Sequence, residues 1–223
     1  MNIIVQKFGG TSVRTEESRR LCGQKIINEI KKGNKVVAVV SAMGRLGDPY
    51  ATDTLLELVN GNKAEMRDMD LLMSCGEIIS SVVLSSLLNT MVYRSHAVPG
   101  FKAGIMTNGD CGNAMCEYID GNYIHTMLEN NIIPVVTGFQ GLHDGIEITT
   151  LGRGGSDTSA VLIAAALNAE RVDIFTDVDG IMTADPRTVE NAKISSADGT
   201  TGSQSDTPQS GGGSVARRSG YVY

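Results

Sequence analysis

Residues 2–13 read NIIVQKFGGTSV, an apolar run closed by Phe8-Gly9-Gly10-Thr11-Ser12. The run over 2–7 predicts a short strand, and the glycine pair predicts a tight turn into whatever follows. A helical pattern does follow over 16–32, where Leu21, Ile26, Ile27 and Ile30 share one face. The same unit recurs downstream. KVVAVVS at 35–41 is closed by Ala42-Met43-Gly44, and NIIPVVT at 131–137 by Gly138. Residues 146–151 run into Gly152-Arg153-Gly154-Gly155, and residues 171–176 into Asp177-Val178-Asp179-Gly180. Helical patterns over 52–59, 68–74, 77–91, 113–130 and 157–168 separate them. The Val/Ile runs at 36–40 and 132–136 barely alternate, which suits strands buried on both faces. Strands alternating with helices predict an α/β fold, a three-layer αβα sandwich around a mostly parallel sheet. Right-handed crossovers then bring the glycine turns to the carboxyl ends of the strands, where such sheets bind ligands.

Composition bounds the function. The 223 residues are 41% hydrophobic and 20% charged, enough for one real core. A formal charge of −6 argues against a nucleic-acid partner, whose footprint would be basic. No apolar run comes near the ~20 residues that span a bilayer, and residues 1–6 do not read as a signal peptide, so no membrane role is expected. Cys22, Cys75, Cys111 and Cys116 form no CxxC pair, and a reducing, cytoplasmic setting is expected. From Ser195 the text changes: residues 195–223 hold seven Ser and six Gly, with no Leu, Ile, Met or Phe. Such a stretch buries too little to offset its ordering entropy and is expected to be disordered.

Three turns carry candidate chemistry. Lys7 at a strand end, followed by Gly9 and Gly10, joins a cation to backbone N–H groups that a polyphosphate can approach. A plain strand-to-helix turn would look the same, and the GxxxxGK[ST] spacing is absent. Gly152-Arg153-Gly154-Gly155-Ser156-Asp157-Thr158 adds a bidentate cation and a helix start, with Ser156 as the expected cap. Thr176, Asp177 and Asp179, with Asp185 and Arg187, form a third polar group; Asp-Gly and Asp-Pro are also ordinary turn dipeptides. Glu77 stands between Gly76 and an apolar helix, either favouring a helix start or holding a substrate ammonium. His96, His125 and His143 show no ligand spacing, and no metal site of the protein's own is expected.

Taken together, these segments resemble the catalytic domain of the aspartokinases, within the amino-acid kinase family. The matching text is VQKFGGTSV (5–13), VVSAMG (39–44), LLMSCGEIISS (71–81), GFQG (138–141), TTLGRGGSDTSAV (149–161) and DIFTDVDGIMTADPR (173–187). GRLGDPYATDTLL (44–56) is most similar to the diaminopimelate-sensitive form. The resemblance implies the amino-acid kinase fold and transfer of the γ-phosphoryl of MgATP to the β-carboxylate of L-aspartate. Mg2+ would be held mainly through the nucleotide phosphates. It implies that Lys7 stabilises the transferring phosphoryl, with Gly9 and Gly10 donating N–H groups. Asp157 would order Lys7 and the amino group. Ser41 and Glu77 would hold aspartate, and Arg153 would pair with a substrate carboxylate beside Gly154, Gly155 and Ser156. Thr176, Asp177, Met182, Asp185 and Arg187 would line the nucleotide site. Family members are dimers or larger assemblies, so a homo-oligomer is a possible state.

After Ile194 the family pattern is expected to stop, without the GAKV-type lysine loop, the last kinase strands or the ACT regulatory domains. The expected organisation is therefore an incomplete kinase domain over 1–194 and an unrelated tail over 195–223. Two other readings stay open at this level. One is a non-catalytic remnant that binds aspartate but ATP weakly. The other is a relative acting on N-acetylglutamate or a nucleoside monophosphate, against which KFGGTSV and GRGGSDTS argue. A shifted reading frame would explain the tail. Translating the other two frames should then reveal a GAKV-type continuation, and its absence would remove that explanation.

Overall fold

Successive side chains of a strand point to opposite faces, and the central strands use both faces for core. The computed structural model describes residues 2–61, 63–152 and 154–176, and the backbone of 214–218. The first half contains β1 (Ile3–Phe8), α1 (Glu16–Lys31), β2 (Lys35–Val40), α2 (Thr52–Glu57) and α3 (Met66–Thr90). Then come β3 (Ser95–Val98), β4 (Ile105–Thr107), β5 (Cys116–Ile119), α4 (Asn122–Glu129) and β6 (Ile133–Thr137). The rest is β7 (Gln140–His143), β8 (Glu147–Thr150), α5 (Gly155–Ala166), β9 (Arg171–Thr176) and β10 (Ser214–Arg218).

The main sheet has the order β10-β9-β1-β2-β6-β3, with β9, β1, β2, β6 and β3 parallel and β10 antiparallel. Val37 and Val39 of β2 join Ile3, Val5 and Val136 beneath α4 and α5, against Ile124, Leu128 and Ile163. Val36, Ala38 and Val40 join Phe8, Val135 and Phe175 on the other side, against Ile26 of α1 and Leu84 and Leu88 of α3. This is the expected three-layer arrangement, with a period-2 pattern hidden inside an unbroken apolar run. On the α1 side β9 is also anchored by ions: Arg171 meets Glu29 at 2.9 Å and Asp173 at 3.0 Å.

Backbone bonds level the strand ends. Gly9 N–H donates to the Phe175 carbonyl (3.1 Å), Ser41 N–H to that of Phe8 (3.1 Å), and Gly138 N–H to that of Val40 (2.9 Å). The glycine turns after β1, β2 and β6 therefore lie along one edge.

A second sheet, β5-β4-β7-β8, was not foreseen. The run expected over 146–151 became β8 and joins this smaller sheet, antiparallel to β7. Strands β3, β4, β5 and β7 have only three or four residues, too few to display a period. The helix expected over 113–130 contracts to α4, because Cys116–Ile119 pairs with β4 instead. Ser156 does not cap α5: Gly154, at φ +80°, holds that position with no side-chain bond, and Ser156 lies in the first helical turn. Within the tail expected to be disordered, Ser214–Arg218 pairs with β9; residues 195–213 and 219–223 lie outside the described residues.

The helices expected over 68–74 and 77–91 are one 25-residue helix, α3. It is long and apolar enough to cross a membrane, which corrects the expectation that no such run exists. Half of its most apolar window is buried in the protein, and Asp70, Ser74 and Glu77 are buried on it, so it serves as a core helix. Gly76 continues the helix because there is no room for more: a Cβ would stand 2.8 Å from Ala42 Cβ and 2.9 Å from the Tyr50 carbonyl oxygen. Gly76→Ala should therefore destabilise the fold by about 1–3 kcal/mol, as overpacking does. A stability in denaturant equal to or above that of the wild type would show that the β2 turn can retreat from α3.

Candidate active site

Lys7 is the last but one residue of β1 and is only 7% exposed. A lysine so placed must keep its ammonium near a counter-charge. Asp157, in the first turn of α5, supplies it: Lys7 Nζ lies 2.7 Å from Asp157 Oδ1. The approach is off the line of a hydrogen bond, so the contact is an ion pair by distance. The Asp157 side chain keeps 49% exposure, so the pair opens towards solvent at the carboxyl edge of the sheet. Two turns expected to face one edge do so, although β8, which leads into α5, belongs to the other sheet.

Glu77 sits in the middle of α3 and is 2% exposed. Its Oε1 accepts the Ala42 N–H at 3.0 Å, while Oε2 is buried with no partner. Burial pushes its carboxyl up to about 8, and the bond from Ala42 offsets this only in part. A buried acceptor left open beneath the β2 turn can take a cationic or donor group. Glu77 is thus no helix-start residue, because α3 begins eleven residues earlier at Met66.

The glycines divide the work. The N–H of Gly9 is engaged by Phe175 and that of Gly155 by the Gly152 carbonyl at 2.9 Å, so neither is free for a phosphate or a carboxylate here. Gly9 ties the end of β1 to β9 instead, and Gly155 closes its own turn. Gly10 is required for close approach: a Cβ would stand 2.6 Å from the carbonyl oxygens of Ala42 and Gly44. Gly10 and Ser41 line a cavity of about 450 Å3 with Ala42, Gly44, Arg45 and Thr52. Ser156 packs against Gly138, where a Cβ would stand 2.8 Å from Ser156 Oγ.

The structure thus gathers Lys7, Gly9, Gly10, Ser41, Glu77, Gly154, Gly155, Ser156 and Asp157 along one edge. Thr176 ends β9 beside them. Arg153, Asp177, Met182, Asp185 and Arg187 lie outside the described residues. Phe139 was missed. It sits in GFQG with φ +69°, a left-handed conformation that costs a bulky residue about 1–3 kcal/mol. Its N–H is held by Ser159 Oγ (3.0 Å), its carbonyl by Leu151 N–H (2.7 Å), and its ring packs over Gly155. Nothing in a Gly-Phe dipeptide signals that strain; only the contact with α5 imposes it.

A family model described as the amino acid kinase family matches residues 2–201. The chain belongs to the amino acid kinase family. The match runs beyond residue 194, where the family text was expected to end. Aspartokinase 1 of Bacillus subtilis (strain 168) is 52% identical over 195 residues, covering 86% of this chain and 48% of that protein. The aspartokinase of Geobacillus stearothermophilus is 47% identical over 195 residues, with 86% and 47% covered. The chain spans about half the length of the curated relatives it matches. Among solved structures, E. coli aspartokinase III in complex with aspartate and ADP (R-state) superposes with a TM-score of 0.71 at 26% identity. That match covers 86% of this chain and 53% of the other. The aspartate kinase from Synechocystis gives a TM-score of 0.66 at 42% identity, covering 85% and 31%. The likeness to aspartokinases identified in the turns therefore extends through the fold.

The raised Glu77 pKa has a measurable sign. In the folded chain the group titrates near 8 rather than 4.5. Its neutral form is accommodated at low pH, and stability is lost as pH rises from the lower value through the higher one. Glu77→Gln removes the titration. The melting temperature of the variant relative to the wild type should rise between about pH 5 and pH 8 and level off above. A difference that stays flat across this range would mean that Glu77 ionises normally.

Proposed function

We propose that the chain transfers the γ-phosphoryl of MgATP to the β-carboxylate of L-aspartate, forming 4-phospho-L-aspartate and ADP in the cytoplasm. This is the first step towards diaminopimelate and lysine, threonine and methionine. The observation that carries the reading is the buried Glu77, with one oxygen open, on the edge that also presents Lys7 and Asp157. The likeness to aspartokinases supports the choice of substrate.

The chemistry needs little from the protein beyond placement and charge. The attacking carboxylate has a solution pKa of about 3.9 and is ionised at neutral pH, so no general base is required. One β-carboxylate oxygen forms the new bond to the γ-phosphorus while the bond to the bridging oxygen breaks and ADP departs. Lys7 neutralises charge on the transferring group, and Asp157 holds Lys7 in place. Glu77 receives the α-ammonium of aspartate; an ammonium at that open oxygen favours the ionised carboxylate, so binding draws its proton off. Ser41, Ser156 and Arg153 complete the amino-acid pocket. The family resemblance assigns Thr176, Asp177, Met182, Asp185 and Arg187 to the nucleotide, and Mg2+ would be held mainly through its phosphates.

Acyl phosphate trapped as a hydroxamate is the direct test. Lys7→Ala should lower kcat by about 10²–10³-fold, the usual cost of removing one transition-state donor. Its aspartate affinity by calorimetry should change far less. A folded wild-type chain without aspartate-dependent hydroxamate, or a fully active Lys7→Ala variant, would overturn the reading.

A further inference from the structure

Asp70, Ser74 and Glu77 occupy positions i, i+4 and i+7 of α3 and therefore share one face of the helix. All three are buried, Asp70 completely. Asp70 is fully engaged with two distant segments. Its Oδ2 accepts the N–H groups of Gly112 and Thr150, each at 2.9 Å, and its Oδ1 accepts the Thr150 hydroxyl at 2.6 Å. Ser74 adds a weaker tie, its carbonyl accepting Gln140 Nε2 at 3.2 Å.

The two segments held by Asp70 converge on the start of α5. Thr150 ends β8, and Gly152 follows two residues later. Asn113 follows Gly112 and lies so close to Gly152 that a Cβ there would stand 2.3 Å from Asn113 Oδ1. The Thr150 carbonyl accepts Ala114 N–H at 2.9 Å, closing the two segments on each other. The turn into α5 is thereby suspended from the helix that carries Glu77. Seven residues of α-helix separate the two carboxylates by a rise of about 10 Å, a rigid spacing.

We propose that Asp70 is a positioning residue: it sets the distance between the N-terminus of α5 and Glu77, and so the length of α-amino dicarboxylate the site accepts. This rests on the function proposed above. A ligand whose ammonium sits at Glu77 and whose reacting carboxylate sits by α5 spans that distance. A five-carbon homologue adds one methylene, and misplacement on that scale is costly in a site built for in-line transfer. Loss of Asp70 would leave buried N–H groups unpaired and let the turn shift.

The test compares Asp70→Ala, Asp70→Asn and Thr150→Val with the wild type. Each is assayed with aspartate and with glutamate, and amide exchange is followed by NMR. Asp70→Ala should raise the aspartate KM, and erode the preference for aspartate over glutamate, by about tenfold or more, leaving the ATP KM within about threefold. Asp70→Asn should recover most of both, because its oxygen still accepts the two N–H groups and its Nδ2 can donate to the Thr150 hydroxyl. Amide exchange at Gly152, Gly154 and Gly155 should accelerate about tenfold in Asp70→Ala, with β1 and β2 unchanged.

Unchanged discrimination in a folded Asp70→Ala, equal losses for aspartate and ATP, or unchanged exchange in the turn would each overturn the proposal. Should Asp70→Ala fail to melt cooperatively, Thr150→Val carries the comparison, with a smaller shift in the same direction; no shift overturns it. A wild type that binds no aspartate defeats the function proposed above, and exchange at the turn then decides separately whether Asp70 holds it.

Discussion

β1 lies between two parallel neighbours, and nearly everything at the candidate site depends on that position. Pairing with β2 on one edge and β9 on the other uses the strand's backbone groups from both sides, and all six of its residues are buried. Because the pairing is parallel, the strand ends stand level and each turn begins at the same height. Lys7, near the end of this strand, has no route to bulk solvent along the sheet. Its charge can be met only by something arriving over the α4 and α5 face, and Asp157 arrives there. The ion pair thus follows from the topology, since a parallel strand must be re-entered through a crossover helix whose N-terminus comes back to the same edge.

The second constraint is α3, which carries its polar residues inward. A helix with Asp70, Ser74, Glu77, Ser80, Ser81 and Ser85 buried along it inverts the usual arrangement for a surface helix. Buried polar groups are costly unless paired. Asp70 meets three donors and is settled; Glu77 meets one and keeps an oxygen open. The difference is one of engagement: one carboxylate is consumed by the fold, the other keeps an acceptor unfilled. The strain at Phe139 belongs to the same economy, because the segment from Gly138 to Gln140 must pass between the start of α5 and the entry to the second sheet.

Much of the main sheet was legible because its strands end in glycine turns and run into helices with clear apolar faces. Four of the five expected strands lie in it, within a residue or two of their expected ends, beside β3 and β10, which were not expected. The second sheet was legible only at β8: its other strands are too short to show a period, and Cys116–Ile119 looked like part of a helix until β4 supplied a partner. Gly76 misled in the opposite direction. A glycine between two apolar stretches reads as a break, whereas here it marks the point where the β2 turn presses on an unbroken helix. Glu77 stood out locally with two readings open, between which the family resemblance chose, and Phe139 went unassigned because backbone strain leaves no trace in residue type.

The sequence by itself determined the alternation of strand and helix, the glycine turns, and the identities of Lys7, Glu77 and Asp157 as residues with chemistry to offer. These are local matters, set by period, turn propensity and side-chain type. Only the tertiary structure decided which of them meet and which backbone groups remain available. Gly9 and Gly155 look like anion donors in the text, yet one N–H ties β1 to β9 and the other closes a turn. Asp70 looks like a surface acid at the start of a helix, yet it is the buried tie between α3 and the turn into α5. Asp70 and Thr150 stand 80 residues apart in the chain, and no local pattern encodes such a pairing.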